Sequence, residues 1–179
     1  MKKVLSIILL IFLITGCGKL TKTPTNEVEN FLSRYQTLDQ QVMNQLNDVV
    51  KGEPALNTSQ KTAYTKLMRR QYQNLTYDIK DEIIDGDNAI VTAEIEVYDL
   101  NKTINDAQQY LNNHPNEFMG DDKTYSEPLF FDYRLGQMSK EKERVTYTLN
   151  LSLTKRDSTW VMDDLTETDR EKIHGLYNY

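Results

Sequence analysis

The sequence predicts an α+β fold: a curved antiparallel sheet of about four strands packed on a long N-terminal helix, with a helical insertion and a short C-terminal helix. Three observations predict it. Apolar residues recur at steps of three and four between residues 26 and 51. Two later stretches switch to strict alternation around turn residues, and helical spacing returns between and after them.

The first helix is expected over Asn26 to Lys51, where Val28, Phe31, Leu32, Tyr35, Leu38, Val42, Leu46 and Val49 form one stripe. Asn26 and Glu29 have capping-box spacing, Pro24 lies just outside, and Gly52 and Pro54 stop the run. A second helix is expected from 58 to 72, opened by Asn57 and Gln60, with Ala63, Tyr64, Leu67 and Met68 on one face. Its last turn carries Arg69 and Arg70, whose charge complements the helix dipole.

The period then becomes two. Leu75, Tyr77, Ile79 and Ile83 alternate with polar residues, Asp85-Gly86-Asp87-Asn88 turns, and Val91, Ala93, Ile95 and Val97 alternate back. This is a hairpin with one buried face. Residues 101 to 114 return to helical spacing through Ile104, Ala107 and Leu111 and stop before Pro115. Residues 115 to 126 have loop composition, and a helix from Pro128 to Lys142 follows, capped by Ser126. Val145, Tyr147, Leu149, Leu151 and Leu153 start a second hairpin that turns at Arg156-Asp157-Ser158 and returns past Trp160 and Met162. A short helix, Thr166 to Tyr177, closes the chain, with Thr166 and Asp169 as its box. No repeat or linker divides residues 26–179, so one domain is expected, with 101–142 as an insertion.

Residues 1–16 stand apart. Lys2 and Lys3 precede an apolar run from Val4 to Ile14 broken only by Ser6. Eleven residues rise about 16 Å as a helix, far short of a ~30 Å hydrocarbon core. The run is therefore read as an export signal. It ends in Leu13-Ile14-Thr15-Gly16-Cys17, which resembles a bacterial lipobox. That resemblance implies cleavage between Gly16 and Cys17 and a diacylglycerol thioether on Cys17, and hence a lipid-anchored protein on the extracytoplasmic face of the cell membrane. A plain export signal with an incidental cysteine is the alternative. Two acyl chains give stable anchoring where one gives marginal binding. Residues 17–25 then read as the lipidated cysteine and a short tether, on which Lys19 and Lys22 favour anionic headgroups. Cleavage removes Lys2 and Lys3, leaving the chain two charges more negative than the precursor's −6.

A long helix, a shorter one, a hairpin with an Asp-Gly turn and a closing hairpin carrying Trp160 together resemble the cystatin-like cone, and more particularly the nuclear transport factor two-like superfamily. The likeness is carried by Asn26 to Val50, Leu75 to Tyr98 and Val145 to Leu165. It implies a curved sheet wrapped on the first helix with a cavity at its wide end, as in many small lipoproteins of Gram-positive bacteria. Enzymes of that superfamily place an Asp or His with a Tyr in the cavity; no motif locates such a pair here.

The chemistry is mostly one of exclusions. The only cysteine is Cys17, so the folded body holds no disulfide or multi-cysteine cluster. The acidic balance argues against nucleic acid. No nucleophile elbow, phosphate loop, dinucleotide fingerprint or zinc-protease motif occurs, so no catalytic residue and no cofactor is assigned, and the expected reading is non-enzymatic. His114 and His174, both at helix ends, read as exposed caps. Asp85-x-Asp87 starts like a calcium loop, but Ala89 stands at the third ligand position, which favours turn chemistry. Asp163, Asp164, Glu167 and Asp169 suit either a hard cation or the cap of the last helix, and Asp121-Asp122 offers no more. The tyrosines are more suggestive. There are eleven of them against five Phe. Tyr98, Tyr110, Tyr125 and Tyr133, around the insertion, are the candidate binding surface for a small ligand or an envelope protein. A cavity-based hydrolase or isomerase and an envelope scaffold are the alternatives.

Overall fold

A computed structural model of the chain describes residues 23–178, so the lipobox, Cys17 and the signal segment lie outside the described residues. The architecture is α+β, with six helices around an open antiparallel sheet in the order β1-β2-β3-β4. The expected first helix is two. α1 (Pro24–Gln36) and α2 (Gln40–Gly52) are separated at Thr37-Leu38-Asp39. Thr37 caps α1, its hydroxyl donating to Ser33 O at 2.8 Å. Leu38 takes a left-handed φ of 53°, and the Asp39 carboxylate accepts from Gln41 N at 2.8 Å as the cap of α2. The apolar stripe hides the break, because Val28, Leu32 and Tyr35 before it and Val42, Leu46 and Val50 after it all face the core. α1 also starts earlier than expected, on the Thr23 hydroxyl, which accepts from Asn26 N.

α3 (Thr58–Gln73) opens with the full capping box read from Asn57 and Gln60. Gln60 is itself buried, and its Nε2 donates to Pro128 O and to the Asp132 carboxylate, tying α3 to the start of α5.

Strands β1 (Thr76–Asp85) and β2 (Asn88–Tyr98) turn at Gly86, whose φ is 61°. The expected uninterrupted alternation in β1 is corrected by a bulge at Lys80, where the register shifts between Ile79 and Asp81. Beyond the bulge Glu82 and Ile84 share the inner face with Val91 and Ala89, and Ile83 pairs with Ile90 on the outer face. β3 (Arg144–Arg156) aligns Val145, Tyr147, Leu149, Leu151 and Leu153 opposite Val97, Ile95, Ala93, Val91 and Ala89. These rows form the buried face, and Thr146, Thr148, Asn150 and Ser152 form an exposed polar one.

β4 (Thr159–Met162) returns through Asp157 and Ser158, with φ of 49° and 64°. Two consecutive left-handed residues suit this tight turn, but both bear a Cβ. Ser158→Gly is therefore expected to stabilise the fold by ~0.5–1 kcal/mol. An unchanged or lower urea midpoint sinks that expectation.

α4 (Leu100–Asn113) is capped by Asp99, which accepts from Lys102 N at 2.9 Å. The expected loop that follows holds a short 3-10 turn, Pro115–Phe118, with Phe118 buried. α5 (Glu127–Met138) is shorter than expected, and Ser126 holds the cap position without a side-chain hydrogen bond. The segment read as an insertion is threaded into the body. Leu135 and Met138 join the main core, and Leu100, just before it, is fully buried there. α6 (Glu167–His174) starts on the Thr166–Asp169 box and ends at Gly175, φ 69°.

Candidate functional site

One joint holds four elements together and sets one end of the site. The buried Gln71 side chain of α3 pairs with the end of β2 as a neighbouring strand would. Its Oε1 accepts from Tyr98 N at 3.2 Å, and its Nε2 donates to Tyr98 O at 3.0 Å. The same Nε2 donates to His174 O at 2.9 Å, and Asn101 N donates to Gly175 O at 2.8 Å. The last turn of α6 is thereby fixed against α3, the end of β2 and the start of α4.

That fixation turns the His174 ring inward, which corrects its reading as an exposed cap. Its Nε2 lies 3.0 Å from the Tyr72 hydroxyl, and the rings are 5.7 Å apart. Tyr72 packs edge-on against Tyr35 at 5.0 Å, and Tyr35 against Phe31 at 5.4 Å. This aromatic chain lines a cleft of about 570 Å³ between α1, α2, α3, β4 and α6. Met68, Tyr64 and Leu46 extend the wall, and Glu27, Arg34, Asp163, Asp164 and Arg170 supply its charges. A second cleft of about 370 Å³ between α2, α3 and α5 shares Val49 and Tyr64 with it.

Burial dominates the electrostatics. It lowers the His174 pKa from 6.5 to about 4, with the Arg170 charge acting in the same direction. It drives the Tyr72 phenol far above the tyrosine range, helped by Tyr35 and Tyr64. Tyr35 moves up for the same reason, opposed by Arg170 and Arg34. The Tyr72–His174 pair is thus neutral at pH 7, a hydrogen-bonded wall with no net charge.

The expected tyrosine surface is brought together only in part. Tyr110 stacks on Tyr133 at 5.0 Å and on His114 at 4.2 Å, both near-parallel, above the buried Phe118 and Phe130. The Tyr110 hydroxyl donates to Glu117. His114 is exposed and caps α4, as read. Tyr98 sits elsewhere, its ring covered by the Arg70 guanidinium at 4.0 Å, with Arg144 at 5.3 Å. Tyr125 is exposed on a loop, opposite Met119. Asp163 accepts from the Thr154 hydroxyl and Asp169 from the Thr166 hydroxyl, so both serve local structure. Among the described residues no group of three or more His, Cys, Asp or Glu is arranged to hold a metal ion, and no helix is long and apolar enough to cross a membrane.

Sequence reasoning missed the cleft because its members lie far apart in the chain. Tyr35, Tyr72 and His174 each read as ordinary helix residues. The Tyr72–His174 bond spans 102 positions, and no local pattern marks it.

No protein-family model matches the chain, and no curated protein matches it in sequence. Among solved structures it is similar to the crystal structure of a protein described as a candidate lipoprotein, ycdA, from Bacillus subtilis. The TM-score is 0.44, the identity 12%, and the match covers 88% of this chain. The chain spans 48% of that protein, about half its length.

Proposed function

We propose that this protein is an extracytoplasmic lipoprotein whose folded domain is a non-enzymatic binding module, with the Tyr35–Tyr72–His174 cleft as its site. The anchor reading is supported by the Leu13–Cys17 spacing behind a basic start and a short apolar run. The binding reading is carried by the protonation state of the cleft. General acid–base catalysis is most effective when the group's pKa lies near the working pH. Here His174 is held at about 4 and the Tyr72 phenol far above its ordinary range, so neither exchanges protons readily at neutrality. A neutral aromatic wall, rimmed by charges of both signs in Glu27, Asp163, Asp164, Arg34 and Arg170, suits a small ligand with an uncharged apolar or aromatic body.

Two expectations test the two halves. Cys17→Ala should move the protein out of the membrane fraction; protein that stays anchored with its signal removed sinks the anchor. For the cleft, the acylated chain extracted from its own membranes should carry a non-covalent small-molecule adduct in native mass spectrometry. Val49 is 70% exposed and lines both clefts, so Val49→Trp should fill the entrance and remove the adduct while the melting temperature holds. An adduct that survives this substitution lies elsewhere. An adduct recovered chemically converted favours the enzyme alternative.

A further inference from the structure

We propose that the tip of the β1–β2 hairpin is a second membrane contact, seated in the headgroup region of the bilayer that holds the N-terminal lipid. This rests on the lipid-anchor reading above. The argument starts from where the chain enters the fold. Thr25 donates from its backbone N and its hydroxyl to Glu82 Oε2, at 2.9 and 2.7 Å. At the other end of α1, Gln36 Nε2 donates to Leu75 O at 2.8 Å. α1 therefore runs from the turn end of β1 to its base, and the chain enters beside the hairpin tip.

The reach is short. Six peptide links separate Cys17 from Thr23, at most about 20 Å when fully extended. The turn lies three to six residues beyond Glu82, roughly 10–20 Å along the strands. A lipid on Cys17 thus keeps the tip within a tether length of the bilayer.

The tip is built for that position. Ile83, Ile84 and Ile90 are 58%, 52% and 45% exposed. The bulge at Lys80 sets Ile83 against Ile90 on the outer face and leaves Ile84 beside Ala89 on the inner one. A sheet covered on one side needs a single apolar face, yet here the tip is apolar on both, beyond the start of the helical layer. Cations flank it. Lys155 N donates to Asp87 O at 2.7 Å, which places the exposed Lys155 and Arg156 beside the turn. They stand against Asp85, Asp87 and Asp157, so the fringe is of mixed charge and the exposed isoleucines are the part of the tip that faces the membrane.

The test uses the full acylated chain in vesicles of phosphatidylcholine with phosphatidylglycerol. Acylated Cys17 is blocked, so Ile84→Cys offers a single thiol for an environment-sensitive fluorophore. Lys140→Cys, exposed before the start of β3 at the opposite end of the sheet, is the control. The label at 84 is expected to shift to the blue and lose about twofold in intensity to brominated lipid, with no change at 140. Adding Ile83→Ser and Ile90→Ser should abolish the difference. Water-like emission at 84 in a chain whose diacylglycerol is confirmed by mass overturns this inference alone; absence of that mass overturns the anchor as well. A blue shift insensitive to brominated lipid and growing with protein density assigns the tip to a second copy, and also overturns it.

Discussion

Gly175→Ala is expected to cost roughly 3–5 kcal/mol, a large part of the 5–15 kcal/mol that holds a domain of this size together. Two effects add. The residue sits at φ 69°, where a side chain costs about 1 kcal/mol. A Cβ there would lie 2.2 Å from Tyr98 O and 2.3 Å from Gln71 Nε2, and neither atom is free to retreat. Tyr98 belongs to the end of β2, and the Gln71 amide is committed to Tyr98 and His174. Relieving the clash breaks at least one of those bonds, and each buried polar group left unpaired costs about 1–3 kcal/mol. At roughly 2–4 °C per kcal/mol the melting temperature should fall by about 6–20 °C. Gln71→Met, which keeps the volume and removes the hydrogen bonds, should lose a similar amount. A Gly175→Ala melt within about 2 °C of the parent would show that α6 is not anchored through this joint.

The same joint shows where the sequence stops being legible. Features whose signal is local were readable. The Asn57–Gln60 and Thr166–Asp169 boxes, the Gly86 turn and the strict alternation of β3 each come from residues within a few positions of one another. The break at Leu38 had a local trace, Thr37 and Asp39, but the apolar stripe runs through it in phase and masks it. The bulge at Lys80 left less, since only the adjacent pair Ile83-Ile84 betrays that β1 changes face. Gln71 and His174 left nothing. Their partners lie 27 to 103 positions away, and a buried glutamine inside a polar helix looks like any surface glutamine until β2 is laid beside it. The tyrosine excess pointed to aromatic recognition, but composition does not say which rings converge. Tyr110 and Tyr133 do, whereas Tyr98 is covered by arginine.

Acidification should unlock the cleft. The folded-state pKa of His174, about 4, lies below the ordinary 6.5, so between those values the unfolded chain binds the proton more tightly. The stability that the neutral ring contributes is then fully present above pH 6.5 and is lost as the pH falls through about 4. At 1.36 kcal/mol per unit the loss across that window is about 3 kcal/mol. His174→Gln keeps a polar partner for the Tyr72 hydroxyl and cannot titrate. Its stability between pH 7 and 4 should therefore fall less than the parent's by about that amount, and the comparison cancels the carboxylates common to both. An NMR titration of the His174 ring that finds a midpoint at 6 or above would falsify the buried neutral pair. The functional consequence follows from the same sign. Protonation puts a charge against Arg170 and Tyr72 in the cleft wall, so a ligand seated there should bind evenly from pH 7 to 8 and weaken below pH 5. A ligand on the Tyr110–Tyr133 stack instead, where His114 is exposed, would not follow the His174 midpoint, and the pH profile of the bound adduct separates the two surfaces.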